Sequence, residues 1–170
     1  MSRPQTISAA GRAAIDLGHA VAAARELEPR IRAIAQAVPG RIAFSTSLGL
    51  EDQAILHAIA ATAARIDVFT LDTGRHFPET LDTIEATERR FGLRIRVAAP
   101  AAADLEELVG RDGINGFRLS VEARKACCDV RKVRPLGRAL RGAAAWITGL
   151  RRGQSNVRTD VPFAAFDEGL

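Results

Sequence analysis

The sequence has no tyrosine, one tryptophan, two cysteines and two lysines among 170 residues. Aromatics make up 5%, too few for a nucleic-acid surface built on stacked rings. No apolar run approaches the roughly 20 residues that span a bilayer, so no membrane partner is expected. The opening MSRPQTISAAGRAAIDLGHA lacks the continuous apolar core of a secretory signal. A cytoplasmic location is therefore the expectation. There a cysteine pair serves metal or redox chemistry more often than a structural disulfide. Internal repeats and low-complexity segments are also missing. Basic residues are in modest surplus, Lys+Arg 24 against Asp+Glu 20, and form no long run. That balance suits a protein holding a small anion as well as one binding a polyanion.

What is present reads as one domain. Hydrophobic residues are 47% of the chain, enough for a core at this length. Residues Ile15 to Val38 carry apolar side chains near a helical period, at Leu27, Ile31, Ile34 and Val38. Then short apolar strands alternate with helices. RIAF (Arg41 to Phe44) leads through STSLGL to a helix from Glu51 to Ala64. IDVFTL (Ile66 to Leu71) leads through DTGRHFP to a helix beginning at Pro78. LRIRVAA is a third strand, and a short helix and the loop GRDGING follow it. Arg118 to Arg141 is helical in composition, with a break expected at Pro135. AAAWITGL is a fourth strand. This alternation predicts an α/β fold, a mostly parallel sheet with helices on both faces. Residues 1–40 form an N-terminal helical segment and 41–162 the core.

In such sheets ligands bind beyond the C-terminal ends of the strands. Three segments occupy those ends, STSLGLED, DTGR and TGLRRGQS, and all should meet in one crevice. The first opens a helix, whose N-terminal N–H groups favour anions. Ser45, Thr46 and Ser47 add hydroxyls, Gly49 permits close backbone approach, and Glu51 and Asp52 follow. With no GK[ST] it is not a Walker A loop, and an ordinary capped helix is the plain alternative. In the second segment Asp72 ends a strand, Gly74 allows a tight turn and Arg75 offers a planar fork for phosphate or sulfate. His76 is read as a hydrogen-bonding or packing residue. In the third, Gly149 precedes Arg151 and Arg152, which could neutralise an anion or form a solvated pair. Trp146 is read as core.

KACCDVRK, Lys125 to Lys132, holds every cysteine and every lysine. Adjacent cysteines do not suit one zinc, whose ligands are usually spaced. They can reach two irons of one cluster. Lys125, Arg131 and Lys132 would stabilise thiolate and bound anion alike, while two buried free thiols are the bland alternative.

Through STSLGLED, LDTGRHFPET, RKACCDVRKVRPL and WITGLRRGQS, in that order, the chain resembles the thioredoxin-linked assimilatory adenylyl-sulfate/phosphoadenylyl-sulfate reductases. The resemblance runs from about Arg41 to Pro162. It implies an adenine-nucleotide α-hydrolase-like, Rossmann-like fold. It implies reduction of adenylyl sulfate to sulfite and AMP, with thioredoxin as electron donor, in sulfate assimilation and cysteine biosynthesis. The STSLGLED loop would hold the phosphosulfate side. Leu71 and Thr73 would lie near adenine and ribose with Arg75 beside them, and Lys132, Arg151 and Arg152 would meet sulfate and phosphate. Cys127 and Cys128 would supply two of four ligands to a 4Fe-4S cluster, a mark of the adenylyl-sulfate branch. The family's reaction is thiol attack on the sulfate sulfur.

The family pattern also has a later Cys-x-x-Cys pair and a tail with the nucleophilic cysteine. This sequence ends at FDEGL. The expectation is a truncated form of a longer reductase that binds nucleotide weakly or not at all stably and produces no sulfite alone. A natural short paralogue, or a partner that completes the site, is the alternative. Other readings stay open: the 3′-phosphorylated substrate, an ATP sulfurylase-like nucleotide transferase, or a nucleotide-binding module without catalysis. Family members often associate, so a homo-oligomer is also open.

Overall fold

β1 (Ile42–Ser45) lies at the centre of a parallel sheet, between β2 (Ile66–Leu71) and β4 (Ala145–Ile147), and β3 (Arg96–Ala98) flanks β2. The computed structural model describes residues 8–150 and 161–167. Ile42 stands opposite Ile66 on one side and Ala145 on the other. Ile42, Ala43 and Phe44 are all buried, as befits a parallel strand covered on both faces. Side chains alternate between two cores. Phe44 and Val68 face one core with Ile31, Leu56, Ile59 and Ile95. Ala43 and Phe69 face the other with Ala139, Leu140 and Trp146.

The helices are α1 (Ala9–Ala23), α2 (Leu27–Ala37), α3 (Leu50–Thr62), α4 (Pro78–Phe91), α5 (Ala102–Asp112), α6 (Val121–Cys128) and α7 (Arg134–Leu140). Going from β1 to β3 the chain steps outward through α3 and α4. It then returns through α5 to α7, and β4 pairs on the opposite side of β1. That reversal places a topological switch point between β1 and β4, where α/β sheets open a crevice. The expected α/β fold is therefore observed. Among the described residues no helix is long and apolar enough to cross a membrane.

Two helical expectations change. The stretch 15–38 is two helices: Ala24 and Glu26 are extended, and Arg30 Nε donates to Ala24 O at 2.9 Å. Pro29, in the first turn of α2, has no N–H for Arg25 O and would crowd that carbonyl in a continuous helix, so the chain turns at Ala24–Glu26 and starts a new helix. Pro135 breaks nothing. Asp129–Val133 forms a π turn in which the Arg134 N–H reaches Asp129 O, and α7 continues from it. Proline offers no N–H and crowds the carbonyl four residues back; the widened turn just before it accommodates both defects.

At the N-terminal edge of the sheet, Asp67 receives Arg41 Nη1 at 2.6 Å and Arg96 Nη2 at 2.7 Å. Arg41 also donates to Ala139 O and Arg141 O, tying down the end of α7. The hydrogen bond from Arg96 holds the Asp67 carboxyl below its ordinary value of 3.8, against a smaller opposing push from burial, and Arg41 adds to the lowering. A carboxyl depressed by folding stabilises the fold above its unfolded pKa, and that contribution is lost as pH falls through the folded pKa. Asp67→Asn is thus expected to be less stable than the parent at neutral pH. The gap should close as pH drops below 3.8, read by urea denaturation across pH. A gap that is constant with pH would contradict this.

Candidate functional site

The β1–α3 loop is held by its own polar groups. Thr46 is buried. Its N–H donates to Phe69 O at 2.8 Å, and its Oγ1 accepts the Leu48 N–H at 2.9 Å. This draws Leu48 to a left-handed φ of 65°, which disfavours a branched residue by about 1 kcal/mol. Packing of Leu48 against the first core offsets that cost. Buried Asp52, in the first turn of α3, reaches back to Ser47. Its Oδ2 accepts the Ser47 N–H at 2.6 Å and Oγ–H at 2.8 Å. The cap residue of α3 is Gly49, with no side-chain cap bond, so neither Thr46 nor Ser47 caps the helix. The first-turn carboxylates suit the positive end of the helix; Glu51 is half-buried beside Asp52. The Ser47 hydroxyl spends its proton on Asp52. The Ser45 hydroxyl accepts Trp146 Nε1–H at 2.8 Å and can still donate.

That Ser45–Trp146 bond pins β1 to β4 at the switch point. Gly149, just past β4, lies directly against Asp52. A Cβ built on it would overlap Asp52 Oδ1 and stand 3.2 Å from Asp52 Cγ. The glycine is thus required by close approach, and STSLGLED and TGL meet as expected. Arg151 and Arg152 lie outside the described residues.

The β2–α4 loop sits on the same edge. Asp72 donates its N–H to Ala98 O at 3.0 Å and accepts the Gly74 N–H on Oδ1 at 2.8 Å, with Gly74 at φ 66°. His76 Nε2 is 2.7 Å from Leu71 O, the hydrogen-bonding role expected of it. Arg75 turns toward the 114–117 loop. It stacks on Phe117 with 4.8 Å to the ring centroid and donates to Ile114 O and Asn115 Oδ1. Its fork would have to exchange those bonds to meet a ligand.

One residue outside the expected binding set enters this loop. Arg131 Nη1 donates to Thr73 O at 2.6 Å, and Arg131 is 7% exposed. The sequence placed it beside the thiols as a flanking charge. Its i,i+4 spacing from Cys127 put both on one helix face, and both line a narrow cavity with Arg75 and Phe117. That spacing was the available signal; the contact with Thr73 was not legible. Lys132 is exposed on the same π turn.

Cys127, half-buried, and Cys128, exposed, end α6 as free thiols. Successive helix positions diverge by about 100°, so the two sulfurs suit separate metal atoms better than a single one. Among the described residues no group of three or more His, Cys, Asp or Glu is placed to hold a metal ion. A cubane cluster takes four thiolates, and two are present in this sequence.

Residues 41–170 match the model of the phosphoadenosine phosphosulfate reductase domain. The chain belongs to this family. The resemblance carried by the four motifs is borne out. An adenosine 5′-phosphosulfate reductase of Agrobacterium fabrum is 58% identical over 128 residues, 75% of this chain and 49% of that protein. One from Allochromatium vinosum is 48% identical over 126 residues, 74% of this chain and 49% of that protein. The chain spans about half the length of the curated relatives it matches. The fold is shared with a phosphoadenylyl-sulfate reductase from Candida auris, solved as a phosphate complex. The TM-score is 0.70 at 21% identity, over 95% of this chain and 73% of that one.

Proposed function

We propose that this reductase-family chain forms the nucleotide-binding part of an adenylyl-sulfate reductase. The activity is reduction of adenylyl sulfate to sulfite and AMP, with thioredoxin as electron donor. The observation that carries the reading is the meeting of STSLGLED with TGL at the β1–β4 switch point, with the β2–α4 loop on the same edge of the sheet, in a chain whose relatives bear that enzyme's name. Ser45 and Gly49, with the start of α3, would face the phosphosulfate, while Ser47, whose N–H and hydroxyl proton both go to Asp52, would shape the loop. Leu71, Thr73 and Gly74 would face adenine and ribose. Lys132, exposed and with no side-chain hydrogen bond or ion pair to the described residues, would meet the sulfate, together with Arg151 and Arg152. Cationic groups there would offset charge developing on the leaving phosphate.

Thr46 and Asp52 act differently. Both are buried; one Asp52 oxygen holds Ser47, and Thr46 is tied to Phe69 O and the Leu48 N–H, so they would shape the site from beneath it. Cys127 and Cys128 would supply two ligands to a 4Fe-4S cluster, which adds a local charge and redox-active metal beside the site.

The reading predicts weak, saturable binding of AMP and adenylyl sulfate, measured by calorimetry, and loss of adenylyl-sulfate binding on Lys132→Ala. Iron taken up on anaerobic reconstitution should depend on the cysteine pair. Parent iron and sulfide content that survives Cys127→Ser/Cys128→Ser would overturn the cluster assignment. Absence of binding by either nucleotide would overturn the nucleotide site.

A further inference from the structure

We infer that Arg131 is a positioning residue of this site: from the opposite layer it fixes the Asp72–Arg75 loop on which a nucleotide would rest. The inference rests on the nucleotide reading above, and deepens it. Arg131 is an expensive residue where it sits. It is 7% exposed, its Nε is buried without a hydrogen-bond partner, and no carboxylate pairs with it among the described ion pairs. Burying a charge without a counter-charge disfavours folding, and apolar residues of similar volume commonly serve stability better. A position chosen for the core alone would not carry a guanidinium.

What the guanidinium does there is local. Nη1 donates to Thr73 O across 58 residues of sequence at 2.6 Å. Gly74 makes room for it, since a Cβ there would stand 3.2 Å from Nη1. The other ties are Asp72 N–H to Ala98 O, Gly74 N–H to Asp72 Oδ1, Arg75 to Ile114 O and Asn115 Oδ1, and His76 to Leu71 O, and among these none reaches the Thr73 carbonyl. Arg131 holds its middle. The residue comes from the π turn that follows the cysteines, so the loop's shape depends on the same helix that presents the thiols.

Stability and ligand affinity should therefore separate. Arg131→Met removes the bond to Thr73 and also the unpaired buried charge. Its melting temperature should equal or exceed the parent's. Amide hydrogen exchange at Thr73, Gly74 and Arg75 should accelerate about tenfold, the scale of one charge-assisted hydrogen bond. Amides of Phe44 and Phe69 should keep their rates. Affinity for AMP should fall by about tenfold on the same grounds, and Arg131→Lys, which keeps one donor, should recover part of both effects. Unchanged exchange in the loop would overturn the inference. So would exchange rising across the whole sheet with a fall in melting temperature, the signature of a core residue only. If the Met variant does not fold, the Lys variant carries the same comparison. Parent protein that binds no AMP, with loop exchange still answering to Arg131, would overturn the nucleotide role and the reading beneath it, while leaving the loop tether itself.

Discussion

Gly149→Ala is expected to destabilise the protein by about 3 kcal/mol, the upper range for overpacking a filled site, and to abolish measurable AMP binding. The new methyl would overlap Asp52 Oδ1. In most places a carboxylate could swing aside. Here Asp52 is buried and its other oxygen holds both the N–H and the hydroxyl of Ser47. Moving it would release the β1–α3 loop; keeping it would displace the end of β4. Either adjustment separates the two segments that meet at the β1–β4 switch point. Urea denaturation reads the first effect and calorimetry the second. Shortening the partner gives an internal check. Gly149→Ala combined with Asp52→Ser should cost less than the sum of the two single changes, because residues in contact couple. Additive costs would show that the two do not meet.

Asp52→Ala is expected to cost about 2–4 kcal/mol, since two hydrogen bonds to a charged group are lost and the Ser47 N–H is left without its partner. A carboxylate in the first turn also complements the helix dipole. Asp52→Asn keeps one acceptor oxygen and should lose roughly half as much. The loop should suffer more than the core. With Ser47 released, the left-handed Leu48 has one restraint fewer, and AMP affinity should drop even in the Asn variant. Urea midpoints for both variants within error of the parent would refute this account of the loop.

These contacts also mark where the sequence stopped being readable. IDVFTL became β2 with the expected bounds and α4 begins at Pro78 as expected, because a β-branched and aromatic run and a proline at the first helical turn are local signals. The convergence of STSLGLED and TGL followed from a topological rule and needed no contact information. The corner at Ala24–Glu26 follows from Pro29, a local signal that the apolar helical period running across it masked. Pro135 announced a break that the preceding π turn absorbed. Asp52 against Gly149, Trp146 on Ser45 and Arg131 on Thr73 join residues 58 or more apart. Nothing in their local sequence reports such pairings. The same limit hid the engagement of Arg75 with Ile114, Asn115 and Phe117.

The most direct test of the central claim is a titration of the 15N-labelled chain with AMP, followed by amide NMR. The account predicts saturable shifts confined to the strand-end segments, at Ser47, Gly49, Thr73, Gly74 and Gly149, with amides near Asp67 at the opposite edge of the sheet unmoved. Shifts at the Asp67 edge, or none at millimolar AMP, would contradict the claim that the β1–β4 switch point is a nucleotide site.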